Sequence, residues 1–273
     1  MTTNKRTLVL WLLSMAICVG IGTGCSTVPV TGRQQINFVS ADEEMKLGLT
    51  EFEKMKKETP ISRDQNLIQM VERVGKRIAA VARPDLPNAQ WEFVVFENKE
   101  PNAFCLPGGK VGVHTGIMPI AKNEAGLATV IGHEVAHAAA HHGAERMSQA
   151  VLLQSGGEVL GVGMAGADSR AQAVASTLYG LGSQLGIALP HSRKQESEAD
   201  QIGLIYMARA GYDPQESIAF WERFADFNRR SGGATPWFLR THPLDETRVQ
   251  QLKTWLPQAQ QEYRTAKGGV APR

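Results

Sequence analysis

The spacing of apolar residues changes character along this chain, and each change marks an element. From Asp64 to Ala82, Leu67, Ile68, Val71, Val74 and Ile78 recur at helical spacing until Pro84 and Pro87 stop the run. Upstream, charge dominates from Asp42 to Glu58 over a thin stripe of Leu47, Leu49 and Phe52. Ser40, with Glu43 three residues on, supplies a capping-box start for that helix. Trp91 to Phe96 reads as a strand and Glu97 to Asn102 as a loop; Ala103–Leu106 and Lys110–Thr115 form a hairpin around Pro107-Gly108-Gly109. A long helix is predicted from about Asn123, carrying Leu127, Val130, Ile131 and Val135 and reaching Met147 or beyond. Residues 151–189, rich in Gly and Ala, read as helices broken by glycines. Further helices are predicted from Ser192 to Ala210, stopped by Gly211, and from Pro214 to Arg229. After a glycine-rich break at 231–233 and the segment Thr241-His242-Pro243-Leu244, a last helix runs to Trp255. The Gln-rich end from Gln258 reads as a flexible tail over 258–273.

The N-terminus has a different pattern. Lys5 and Arg6 precede an apolar run from Leu8 to Ile21, followed by Gly-Thr-Gly-Cys at 22–25. A transmembrane helix needs about 20 apolar residues, so this shorter run reads as a cleaved export signal over 1–24. Small residues before Cys25 resemble the bacterial lipobox, although Gly22 stands where that motif usually carries leucine. That resemblance implies lipidation of Cys25, with residues 25–40 as a polar tether. Ser26, rather than aspartate, follows the cysteine, which by the same resemblance favours an outer-membrane attachment facing the periplasm.

Composition narrows the possibilities further. The 273 residues suffice for one ordinary domain with a real core. A formal net charge of +2 supplies no basic field for nucleic acid. Cys18 and Cys25 lie in the N-terminal segment and leave Cys105 alone, so packing, with help from a metal, has to hold the fold. Histidine is scarce, with seven in all, yet four fall between His133 and His142.

That cluster contains His133-Glu134-Val135-Ala136-His137 on the predicted long helix. Histidines four apart lie on one helical face, and both can reach a single Zn²⁺. Glu134 is set about 100° round the helix from His133, close enough to take a proton from a zinc-bound water without ligating the metal. The helix is apolar, and the small residues Gly132, Ala136, Ala138 and Ala139 surround the motif, which does not suit two solvent-facing histidines. A catalytic zinc needs a third protein ligand and an open position. Ala140 and Gly143 exclude the metzincin pattern, and His141 and His142 follow His137 too soon, which leaves them surface or supporting roles. Glu196 and Glu198, on the helix from Ser192, are the remaining candidates; they lie about 200° apart, so both cannot face one metal. Ala199, Asp200 and Gly203 flank Glu196, whereas Ile202 and Ile205 flank Glu198, which favours Glu196 modestly. Asp200 is placed to accept a hydrogen bond from a ligating imidazole.

His-Glu-Val-Ala-His, the downstream Ser-Arg-x-x-Glu-x-x-Ala-Asp at 192–200 and Thr-His-Pro at 241–243 together resemble the family of the CaaX prenyl protease, the HtpX heat-shock peptidase and the OMA-type proteases. The resemblance spans about residues 35–255 and is nearest the soluble periplasmic lipoprotein branch, without the tetratricopeptide-repeat tail of some members. It implies an α+β, mainly helical gluzincin-type metallopeptidase domain over 41–257, with a small β-sheet whose edge borders the zinc helix. It implies one Zn²⁺ held by His133, His137 and Glu196, with Glu134 as the catalytic base. The edge Asn102-Ala103-Phe104 is the candidate for binding substrate as an added strand. In related lipoprotein members the histidine matching His242 takes the fourth zinc position, so His242 is expected to latch the resting enzyme or to assist the reaction. Arg248, further along, is expected in a surface salt bridge. The implied activity is cleavage of unfolded or mis-assembled envelope proteins. An assembly lipoprotein with a latched, mostly inactive site is the alternative, and an intact Glu134 argues against a purely structural zinc.

Overall fold

The computed structural model describes residues 25–161, 191–231, 235–243 and 246–268. The expected signal over 1–24, most of the glycine-broken stretch 151–189, residues 232–234 and the last residues of the tail lie outside the described residues. The architecture is α+β and mainly helical, as the resemblance implied.

Strands β1 (Cys25–Thr27) and β2 (Gln34–Ile36) pair antiparallel, so the expected polar tether is instead a folded hairpin. Such short strands carry too few residues to show a period. Helix α1 (Ala41–Glu58) begins at the predicted capping box of Ser40 and Glu43, and α2 (Gln65–Ala82) is capped by Asp64. A three-stranded sheet follows: β3 (Glu92–Phe96), β4 (Ala103–Leu106) and β5 (Lys110–His114). The order is β3-β5-β4, with β5 central, parallel to β3 and antiparallel to β4. The turn between β4 and β5 uses Gly108 and Gly109 at φ of 83° and 79°, backbone that residues with a Cβ rarely adopt. Among the described residues no strand pairs with the outer side of β4.

A short turn of helix, α3 (Met118–Ala121), leads into α4 (Glu124–Ala139). From Gly126 to Ala139 every residue of α4 is buried, as expected for a helix apolar around its whole circumference. Helix α2, strand β4 and two later helices, Arg193–Arg209 and Gln215–Arg230, wrap it. The expected continuation to Met147 does not occur. Helix α4 ends at Ala140, His141 turns into the left-handed region at φ 52°, and α5 (His142–Gly161) starts in a new direction. Contacts absent from any local pattern sustain this break: Gln35 Nε2 donates to Ala140 O at 2.8 Å, and the His141 imidazole meets Glu44 on α1 at 2.7 Å.

Helix α6 (Arg193–Arg209) lies against α4, and α7 (Gln215–Arg230) packs beside both. Two glycines set the close approach of α4 and α6. A Cβ on Gly203 would stand 2.8 Å from His133 N, and one on Gly132 would stand 3.0 Å from Gly203 O. After α8 (Trp237–Thr241), α9 (Glu246–Ala266) runs well past Trp255, with Pro257 inside it. The expected flexible tail is therefore helical as far as Ala266, and buried Leu252 and Ala259 belong to the main core.

Candidate metal centre

Helix α4 presents His133 and His137 on the face turned towards α6, and α6 presents Glu196 and Asp200 in return. His133 Nε2 and His137 Nε2 lie 3.1 Å apart. Glu196 sets one carboxylate oxygen 3.5 Å from His133 Nε2 and the other 3.3 Å from His137 Nε2. His242, at the end of α8, completes the group, its Nδ1 3.4 Å from His133 Nε2 and 3.0 Å from Glu196 Oε1. All four side chains are buried.

These separations fit a cation. Zinc–nitrogen bonds of about 2.05 Å in a tetrahedron place neighbouring ligand atoms roughly 3.4 Å apart. Glu134 Oε1 is buried without a hydrogen-bond partner among the described residues, a costly state unless a positive group faces it, whereas Glu196 Oε2 is met by the Arg248 guanidinium at 3.1 Å. His133 Nδ1 lies 3.0 Å from Asp200 Oδ1, an arrangement in which Nδ1–H donates and Nε2 keeps a lone pair for the cluster. Burial and Arg248 act to lower the His133 pKa, but Asp200 and Glu196 outweigh them and raise it to about 9. Burial, joined by the charge of His133, holds His137 well below the usual histidine range. Burial works to raise Glu196, yet His242, Arg248 and the two facing imidazoles hold it well below the ordinary carboxylate range.

Glu134 points beside the cluster, with Oε1 3.6 Å from His242 Nε2, and its burial raises the carboxyl. Glu134, His137 and His242 line a cleft together with Asn102, Ala103 and Phe104. Those three residues open the free edge of β4, but the side chains of the last two are taken up in packing: Phe104 meets Phe52 edge-on and lies tilted against Phe96, and Ala103 joins the main core. Asn102 O accepts from His114 N at 3.0 Å. What the edge offers the cleft is main chain.

Arg248 is not in a surface salt bridge. It is 3% exposed, its guanidinium sits 3.6 Å over the Trp221 ring, and Nε and Nη2 grip Asp200 at 2.5 and 2.7 Å. Burial alone would lower its pKa, but Asp200 and Glu196 raise it. Glu198 faces away from Glu196, towards His142 and Arg33. His142 is fully buried behind His137, with the two Nδ1 atoms 2.8 Å apart. His191, which the sequence reading did not single out, lies over His137 with ring centroids 3.8 Å apart and stacks on His242 at 4.8 Å. The only hint was its place just before the Ser192 cap, where the chain must turn into the metal-facing helix.

Residues 64–256 match the family model described as Peptidase family M48. The chain belongs to peptidase family M48. It is thus a metalloprotease by family, with the OMA-type affinity that its motifs suggested. It is 36% identical over 244 residues to the mitochondrial metalloendopeptidase OMA1 of Schizosaccharomyces pombe, covering 88% of this chain and 68% of that protein. To the Saccharomyces cerevisiae protein of the same name it is 34% identical over 257 residues, covering 88% of this chain and 72% of that one. The beta-barrel assembly-enhancing protease of Escherichia coli is 29% identical over 281 residues, covering 96% of this chain but only 56% of that protein. Both motif segments of this M48 chain, 133–137 and 192–200, fall within the matched region.

Proposed function

We propose that this chain is a zinc endopeptidase of the bacterial cell envelope that removes misfolded or mis-assembled proteins. The observation that carries the reading is the juxtaposition of Glu134 with the His133, His137 and Glu196 cluster, at a cleft bordered by the free edge of β4. The name of the beta-barrel assembly-enhancing relative and the export-type N-terminus support the envelope location. Among the described residues no helix is long and apolar enough to cross a membrane. Attachment is assigned to a lipid on Cys25, with the outer membrane preferred.

His133, His137 and Glu196 would hold one Zn²⁺, which when bound would supply Lewis acidity to a peptide carbonyl and to water. Glu134, its carboxyl raised by burial, takes a proton from the attacking water and passes it to the leaving amine. Asp200, clamped by Arg248, fixes the tautomer and ring orientation of His133. The edge of β4 receives the substrate as an added strand, giving affinity through main-chain hydrogen bonds with little sequence preference, as a quality-control enzyme requires.

His242 holds the resting state. Its ring is stacked on Phe238 at a centroid distance of 4.4 Å, and it lies between Glu196 and Glu134, where water and the substrate carbonyl have to enter. This packing is also what favours the second reading, an assembly lipoprotein whose site stays latched. The two are separated by incubating the mature chain with an outer-membrane β-barrel protein, unfolded or folded, beside His242→Ala. Cleavage confined to the unfolded form and accelerated in the variant supports the latched peptidase. A variant that is no faster than wild type removes the latch, and no cleavage by either supports the assembly role.

A further inference from the structure

Both candidate zinc-ligand imidazoles are held from behind, but by chains of different origin. Behind His133 stand Asp200 and Arg248, from α6 and α9. Behind His137 stands a longer chain that leaves the catalytic helices altogether. His137 Nδ1 is 2.8 Å from His142 Nδ1, and His142 Nε2 is 3.1 Å from Glu198 Oε2. Glu198 in turn receives Arg33 Nε at 2.8 Å and the Thr31 hydroxyl, both from the N-terminal hairpin. Arg33 also donates Nη1 and Nη2 to Glu145 at 2.6 and 2.9 Å, and Glu145 accepts from Gln195 Nε2 at 2.7 Å. Gln35, on the same hairpin, donates to the carbonyl of Ala140, where the zinc helix ends.

The donors and acceptors along this chain admit one order. His137 Nε2 faces the other ligands, so its proton sits on Nδ1 and is donated to His142 Nδ1. His142 must then carry its own proton on Nε2 and donate it to Glu198. A carboxylate at the far end, fixed by a guanidinium, sets the tautomer of both rings and the angle at which His137 Nε2 points. Positional freedom is small throughout: His142 is fully buried, and the Glu198 side chain is 5% exposed.

We propose that Arg33 and Glu198, acting through His142, position the metal ligand His137, so that the hairpin beginning at Cys25 is a working part of the metal centre rather than a passive tether. This rests on the reading of His137 as a zinc ligand. The residues concerned touch neither substrate nor metal; their effect is on the geometry and basicity of one imidazole. The connection also ties the strand nearest the expected lipid anchor to the reactive centre, so that displacing the hairpin loosens the metal site.

The test uses the mature full chain with Arg33→Gln, Glu198→Gln, His142→Leu and His142→Asn. Three readouts are taken: the zinc dissociation constant by competition with a chromophoric chelator, the visible spectrum with Co²⁺ in place of zinc, and kcat and KM at saturating zinc. Removing an orienting partner of a metal ligand typically weakens metal binding by about 10–100-fold. Arg33→Gln and His142→Leu are expected to fall in that range, with an altered cobalt spectrum, a lower kcat and an unchanged KM. His142→Asn, whose amide oxygen replaces the Nδ1 acceptor, restores most of the affinity. If His142→Leu fails to fold, Arg33→Gln and Glu198→Gln still decide. Wild-type zinc affinity and cobalt spectrum in both would overturn the proposal while leaving the metal centre intact. Failure of the wild-type chain to bind either metal would remove the proposal and the metal reading together.

Discussion

Substituting Gly203 by alanine should weaken both the metal site and the fold around it. The new Cβ would lie 2.8 Å from His133 N and 2.9 Å from His133 Cα and Gly132 C, all of them backbone atoms of α4. An ordinary contact begins near 3.4 Å, so α4 and α6 must part locally by about 0.6 Å. Overpacking of this kind costs about 1–3 kcal/mol, which for a domain of this size lowers Tm by roughly 3–10 °C. Glu196 sits seven residues back along α6, about 10 Å from the wedge, and moves with the helix. Metal–ligand bonds tolerate only about 0.2 Å of error, so zinc affinity should fall at least about tenfold. Competition with a chromophoric chelator, alongside thermal melts of zinc-loaded and chelated protein, reads both effects. Gly143→Ala is the control, because a Cβ there meets nothing within 4 Å. Wild-type melting and zinc affinity in Gly203→Ala would refute the argument that the glycine contact sets the distance between Glu196 and the two histidines.

Arg248→Leu leaves Asp200 buried without its guanidinium, and loss of one partner of a buried pair costs about 3–5 kcal/mol, so its urea midpoint should drop well below that of a surface variant such as Arg229→Leu. Stripping zinc with chelator should lower Tm by roughly 10 °C, the loss of about 4 kcal/mol for a ligand held at 1,000 times its Kd, and added zinc should restore it. Glu44 raises the pKa of His141, so this ion pair adds stability that is full below the unfolded value of about 6.5 and is lost as pH rises through the folded value. His141→Asn should therefore lower Tm more at pH 6 than at pH 9; an equal or larger loss at pH 9 would contradict the assignment.

Helices whose signals are local were legible in the sequence. The Ser40 and Ser192 caps, the stripe of α2 and the paired glycines after Pro107 all act through residues a few positions apart. The grouping of His133, His137 and Glu196 was legible because helical spacing fixes His133 against His137, and because small neighbours marked the face of Glu196 that packs against them. What stayed hidden depends on partners far along the chain. The break at His141 is secured by Glu44 and Gln35, roughly a hundred residues upstream. The burial of Arg248 depends on Asp200 and Trp221, and an arginine on a polar helix gives no local sign of such partners. The hairpin at Cys25–Ile36 consists of two three-residue strands, and its Arg33 acquires meaning only once Glu145 and Glu198 are brought beside it. The final helix continues through Pro257 because Ala259 has a place in the core.

In the proposed function Glu134 performs proton transfer at a metal held by His133, His137 and Glu196. The most direct test is cleavage of unfolded casein by the mature chain, with and without chelator, beside zinc-loaded Glu134→Gln. Cleavage by the wild type should be chelator-sensitive, and the variant should bind zinc in equal ratio yet cut at least a hundredfold more slowly, about the contribution of a general base. Cleavage by Glu134→Gln at the wild-type rate, or cleavage that survives full removal of the metal, would contradict the proposed function.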